Sequence, residues 1–365
     1  MPFVGMQASH IGNKLCCSAR QIIQGSVKEF WHSEYIKDVR QKMLKGEVVP
    51  GCSSCYQHEA QNQLSMRQRY NNLFKDEVQQ EYPQYFDLDF SNLCNLQCIM
   101  CGPKRSSQWT KELGDKHVKL ISQNAIDEIL EMSRHVKHLS LQGGEPSIMP
   151  EFEYLLQKLV DDGLSKNITI DCISNLTNVK RKFYTLLESF KTVDINVSVD
   201  AHGRQNDYIR FPSKFETIEK NLHELSKKRL QVNLQITIQV LSMFEFYDFL
   251  KWIAKMHDTF ETQGKKLGLD VSFVHFPRML DITTAPNTLK KEFINQITSF
   301  KKENTTKFPP KFAISMSNLE KTLVQQHEKE NIKGTIEYIE ELDQRRSIKI
   351  TNYIPKFYNF FKKSQ

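Results

Sequence analysis

Tyr85-Phe-Asp-Leu-Asp-Phe90 runs straight into Ser91-Asn-Leu-Cys-Asn-Leu-Gln-Cys-Ile-Met-Cys101, so a strand-like alternation opens into a loop with cysteines at 94, 98 and 101. The alternation predicts a strand over 85–90, and a loop leaving a strand can curl so that closely spaced sulfurs converge. The same rhythm continues downstream. Strand-like segments fall at 136–141, 167–173, 193–199, 231–239 and 268–276. Helical spacing of apolar residues falls between them, at 122–131, 151–160, 180–190 and 215–225. Strand, helix, strand repeated predicts an α/β fold with a parallel sheet, and six units fall short of a closed eight-unit barrel. The expectation is a partial, open-sided (β/α)6 barrel. In such sheets ligands bind beyond the carboxyl ends of the strands.

Three thiolates are one too few for a closed tetrahedral zinc site and suit an iron–sulfur cluster with one iron left open, although spacing alone does not choose the metal. Four more cysteines are grouped: the pair Cys16-Cys17 and, 35 residues on, the C-x2-C knuckle of Cys52 and Cys55. They allow a second four-sulfur site, with a zinc ribbon as the alternative. Adjacent cysteines do not easily share one metal, so one of Cys16 and Cys17 is a candidate bystander. Cys172 lies in an apolar run and reads as a buried, inert thiol.

The second strand leads into Leu141-Gln-Gly-Gly-Glu-Pro146. Gly143 and Gly144 permit close approach of the backbone to a ligand, and Glu145 offers an anionic acceptor; a plain turn explains the same residues. At the end of the fourth strand, alternation puts Ser198 and Asp200 on one face. Arg210, after a short helical stretch, suits a carboxylate or a surface salt bridge. Segment 25–47 reads as one amphipathic helix whose aromatic residues are core packing. Glu59, Ser65 and Arg67 read either as a clamp between the cysteine-rich segment and the barrel or as a polar helix face. Beyond residue 277 a turn at Phe308-Pro-Pro-Lys311, a charged helix over 319–342 and an aromatic stretch over 353–361 predict a mostly helical extension.

The 365 residues are 39% hydrophobic and 25% charged, with no 18-residue apolar run, which predicts a soluble globular chain without a membrane span. Residues 1–14 lack the features of a secretory signal, so a cytoplasmic location with reduced cysteines is expected. The net charge is +7, and segment 301–365 holds 13 Lys and Arg against 8 acids. Because the acids are interleaved, the tail reads as a solvated face before it reads as a nucleic-acid surface. No P-loop, G-x-S-x-G, H-E-x-x-H or G-x-G-x-x-G occurs, which disfavours ATPase, hydrolase and dinucleotide chemistry.

Cys94-x3-Cys98-x2-Cys101 after the first strand, Gly143-Gly144-Glu145-Pro146 after the second and Ser198-Val-Asp200 after the fourth together resemble the radical S-adenosylmethionine (SAM) superfamily, over about residues 85–276. The resemblance implies a [4Fe-4S] cluster on Cys94, Cys98 and Cys101, with SAM chelating the open iron. It implies reductive cleavage of SAM to methionine and a 5′-deoxyadenosyl radical that abstracts hydrogen from a substrate. Glu145 and the Gly143-Gly144 backbone would hold the SAM amino group, with Pro146 closing that loop. Ser174 or Asn175 would reach the ribose, and Ser198, Asp200 and Arg210 the ribose and carboxylate. Met100 stands where many relatives carry an aromatic residue near the adenine.

The cysteine-rich start resembles the auxiliary-cluster unit of the SPASM and Twitch branch. It precedes the barrel here, as in phage-type Twitch domain-containing radical SAM proteins. This implies an auxiliary iron–sulfur cluster among Cys16, Cys17, Cys52 and Cys55, and the division 1–80 auxiliary unit, 81–280 barrel, 281–365 extension. The substrate class implied is a peptide or protein, with a nucleotide, nucleic acid or small metabolite as the alternative and a zinc-binding module as a distant third. An external flavodoxin- or ferredoxin-like electron donor is expected.

Overall fold

The computed structural model describes residues 2–60, 64–75, 81–115, 117–179, 182–303, 316–317, 319–320, 323 and 330–361. The fold is mixed α/β, an eight-stranded sheet that does not close, with helices. The chain divides into two compact units, Met1–Cys94 with His117–Ile173 and Lys180–Val193, and Asn95–Lys116 with Ser174–Val179 and Asp194–Gln365.

In the first unit the strands β1 (Gly5–Ser9), β2 (Gly12–Lys14), β3 (Tyr85–Asp89), β4 (His138–Gln142) and β5 (Thr169–Ser174) lie in the order β2-β1-β3-β4-β5. All pairs are parallel except the β1–β2 hairpin. Register lines up Met6, Phe86, Leu139 and Ile170 in one row and Ala8, Leu88, Leu141 and Cys172 in the next, every one fully buried. Each such Leu or Phe contributes about 2 kcal/mol of burial. Cys172 is thus a core side chain. The intervening row, Gln7, Asp87, Ser140 and Asp171, is polar and faces the other way.

Helices pack on this sheet. Gln123–Met132 starts where Ser122 Oγ accepts the Ala125 N–H, and Pro150–Asp161 starts at a proline, which has no N–H to leave unpaired there. Phe152 of the latter stacks on Phe90 at 4.3 Å between ring centres. The expected single helix over 25–47 is two, Val27–His32 and Glu34–Leu44. Ser33 makes the break: it ends the first helix, and its Oγ then accepts the Ile36 N–H to start the second. The aromatic residues are core, as expected; Trp31 is fully buried, with its indole N–H on the Glu81 carbonyl and Arg40 stacked over its ring.

In the second unit β6 (Thr192–Ser198), β7 (Gln231–Ile238) and β8 (Leu267–Phe273) are parallel in that order, with Ile195, Val232 and Leu267 forming one buried row and Val197, Leu234 and Leu269 another. The main helices are Phe215–Ser226, Phe246–Glu261, Asn287–Glu303 and Ile332–Arg346. All six expected strands form, with ends moved by up to about three residues; β1 and β2 were not foreseen. Of the expected C-terminal elements, the turn at 308–311 and residues 321–322 and 324–329 lie outside the described residues. Among the described residues no helix is long and apolar enough to cross a membrane.

Candidate functional site

The first unit supplies the approach to Cys94 and the Gly-Gly-Glu-Pro loop. The Gly144 N–H donates to the Ser91 carbonyl at 2.9 Å and the Glu145 N–H to the Leu93 carbonyl at 2.8 Å. This is the close approach that the glycines permit. Gly143 has φ +122, and a Cβ there would lie 2.6 Å from the Ser91 carbonyl oxygen; at Gly144 it would lie 2.1 Å from that of Leu93. The loop is thus seated against the chain leading into Cys94, which is itself buried. With those N–H groups engaged, what the loop can offer a cationic amine is acceptors, its carbonyls and the Glu145 carboxylate. Glu145 is 1% exposed, and its Oε1 accepts from the Ser147 N–H and hydroxyl. Pro146, buried, opens the short turn Pro146–Ile148.

The second unit supplies Cys98 and Cys101. The Cys101 N–H turns back to the Cys98 carbonyl at 2.9 Å, with Met100 half-buried inside the turn. Arg210 is buried; its Nε lies 2.7 Å from Asp200 Oδ2, and its NH1 points at the Cys98 sulfur from 3.8 Å. Asp200 is fully buried and also accepts the Thr237 N–H at 2.8 Å. Arg210 is therefore not on the surface but in a buried ion pair beside a thiol. Burial pushes the Cys98 thiol up to about 12, and the Arg210 guanidinium opposes that rise. Burial likewise raises Cys101. β6 ends at Ser198, which is half-exposed, so Ser198 and Asp200 differ in environment. Ser174 and Asn175 are buried; Asn175 donates to Asn95 Oδ1 at 2.8 Å and accepts from Thr177, which itself receives the Asn95 amide at 2.9 Å.

A separate cysteine group lies within the first unit. Cys16, Cys52 and Cys55 line one cavity of about 350 Å³, with Met43, Met66 and Arg67 on its wall. Cys17 is turned away. Burial and the neighbouring Asp87 carboxylate push its thiol up to about 12. Burial and the other two thiols push Cys52 up to about 11. Among the described residues the trio whose ligand atoms all fall within 4.8 Å is His257, Asp258 and Glu261 on an exposed helix face. Glu59, Ser65 and Arg67 pair with one another: Arg67 and Ser65 both donate to the Glu59 carboxylate, whose acidity Arg67 increases.

The sequence reading missed the residues that surround Cys98. Trp109 Nε1 donates to the Cys98 carbonyl at 2.8 Å, and Tyr338 and Arg346 reach the same loop from a distant helix. No spacing rule announces such contacts.

Residues 88–253 match the model of the Radical SAM superfamily. That stretch is similar to a radical SAM domain. Such a domain belongs to enzymes and implies a [4Fe-4S] cluster and SAM; the half-buried Cys98, with Arg210 3.8 Å from its sulfur opposing the rise caused by burial, offers a soft ligand for iron. The sporulation killing factor maturation protein SkfB of Bacillus subtilis (strain 168) is 25% identical over 188 residues, which are 50% of this chain and 42% of SkfB. The chain therefore spans less than half of that relative's length. Among solved structures, native anSMEcpe with bound AdoMet aligns at a TM-score of 0.43 and 16% identity, over 60% of each chain. Streptococcus suis SuiB bound to precursor peptide SuiA aligns at 0.41 and 13%, over 84% of this chain and 70% of SuiB.

Proposed function

We propose that this chain is a radical SAM enzyme acting on a peptide or protein. The observation that carries the enzyme reading is the superfamily match over 88–253, with Cys98 and Cys101 of the matched loop half-buried and Arg210 aimed at the Cys98 sulfur. Cys94, Cys98 and Cys101 would hold the cluster. Glu145 and the carbonyls of Gly143 and Gly144 would accept from the SAM ammonium, with Pro146 shaping the loop. Ser174, Asn175 and Ser198 would serve the ribose and Met100 the adenine. Arg210, already paired with Asp200 and aimed at Cys98, is better suited to favouring the Cys98 thiolate than to receiving a carboxylate, while Asp200 holds Arg210 in place. When bound, the cluster and SAM supply one-electron cleavage of the sulfonium and hydrogen abstraction from an unreactive carbon.

The likeness to a maturation protein favours a peptide or protein substrate. We also read the cavity of Cys16, Cys52 and Cys55 as an auxiliary iron–sulfur site, in the manner of the Twitch and SPASM branch, with Cys17 outside the ligand set. In this reading residues 1–80 form the auxiliary unit, 81–280 the barrel and 281–365 the extension, in a cytoplasmic enzyme served by an external flavodoxin- or ferredoxin-like donor. The nucleic-acid alternative is weaker because part of the basic surplus is spent internally: Lys301 pairs with Glu320, and the Arg346 side chain is 2% exposed.

The test is anaerobic incubation of the reconstituted chain with reductant, SAM and candidate precursor peptides. Expected are 5′-deoxyadenosine and a mass change on a peptide. Colourless, zinc-loaded protein that releases no nucleoside would overturn the reading.

A further inference from the structure

Residues 96–99 form no regular structure, yet nearly every polar group of that backbone has a partner. The Leu96 carbonyl accepts from Ser106 Oγ at 2.6 Å, the Gln97 carbonyl from Arg346 at 2.9 Å, the Cys98 carbonyl from Trp109 at 2.8 Å and the Ile99 carbonyl from the Tyr338 hydroxyl at 2.5 Å. The N–H groups of Gln97 and Ile99 go to the carbonyls of Phe211 and Ile209, at 2.6 and 2.9 Å. A buried loop must satisfy its peptide groups. What stands out is that two of the four carbonyl partners come from the helix Ile332–Arg346, some 240 residues further along the chain.

Arg346 is held rigidly for this. Its guanidinium carbon lies 5.0 Å from the ring centres of both Trp109 and Phe211, and its Nε and NH2 reach the Glu112 carboxylate at 3.3 Å. The Gln97 side chain donates to the same carboxylate at 2.8 Å. A planar fork between two rings cannot be reproduced by a lysine.

Resting on the functional reading above, we propose that Arg346 and Tyr338 are positioning residues for the SAM-binding cluster, fixing the peptide groups on either side of Cys98 and so the direction of its sulfur. The C-terminal helix is then a working part of the cluster site and not a cover.

The test uses the full chain, reconstituted anaerobically, as wild type and as Tyr338→Phe, Arg346→Lys and Arg346→Gln. Measured are iron content, the melting midpoint, the rate of iron release to a chelator, and the electron paramagnetic resonance signal that changes on adding SAM. Outer-sphere partners of metal ligands typically govern affinity by about 10- to 100-fold. Tyr338→Phe, which removes one hydroxyl, is expected to keep its melting midpoint and iron content. Its iron release should be about 10-fold faster and its SAM-responsive signal shifted or heterogeneous. Arg346→Lys should not restore what Arg346→Gln loses. Wild-type release and an unchanged signal in Tyr338→Phe and Arg346→Lys would overturn the proposal, as would a lowered melting midpoint with an unaltered signal. A wild-type chain lacking any SAM-responsive signal would sink the functional reading itself, and that result is visible before any variant is compared.

Discussion

The two cysteine groups are held in opposite ways. Around Cys98 the backbone is pinned carbonyl by carbonyl, and a buried guanidinium faces the sulfur. Cys16, Cys52 and Cys55 instead look into an open cavity of about 350 Å³ whose wall includes the flexible side chains of Met43 and Met66. One arrangement costs little reorganisation when iron arrives. The other has room to adjust, or to admit a further group. The difference teaches that thiols of similar burial can be prepared for different work by what surrounds them.

The strongest way to break this comparison is to replace Cys94, Cys98 and Cys101 together by Ala. Formation of 5′-deoxyadenosine should vanish, as followed by chromatography, and iron should fall by one cluster's worth. Next, Cys52→Ala with Cys55→Ala should leave SAM cleavage measurable but depress modification of the substrate several-fold or more; full turnover would show the cavity to be structural only. Asp200→Asn leaves Arg210 buried without its countercharge and should lower stability by about 3 kcal/mol in chemical denaturation. Gly144→Ala forces a methyl against the Leu93 carbonyl and should cost about 2 kcal/mol in the same assay. The smallest effect belongs to Cys17→Ala, where iron content should stay at the wild-type level, since that thiol faces Asp87 and not the cavity.

What the sequence disclosed followed from local pattern. Alternation located the strands, and the packing of Cys172 in a row with Leu88 and Leu141 matches its reading as a core thiol. The escape of β1 has a physical reason: Gly5-Met-Gln-Ala-Ser9 has no β-branched residue, and its burial comes from a partner 80 positions away. Ser33 looked like one more polar position on a helix, because its capping role depends on where the first helix stops. Arg346 was hidden by its neighbours. Glu340, Glu341 and Arg345 give the helix a solvated character, and the rings of Trp109 and Phe211 with the Glu112 carboxylate, all remote in sequence, draw that one arginine inward.

The pairing of Gly5–Ser9 with Tyr85–Asp89 carries a consequence for biosynthesis. During translation Gly5–Ser9 has only its hairpin neighbour Gly12–Lys14 to register against until the ribosome has released roughly eighty more residues, so the knuckle at Cys52 and Cys55 emerges into a still unclosed loop. Those two thiols are therefore made before the parallel ladder that joins β1 to β3 can form.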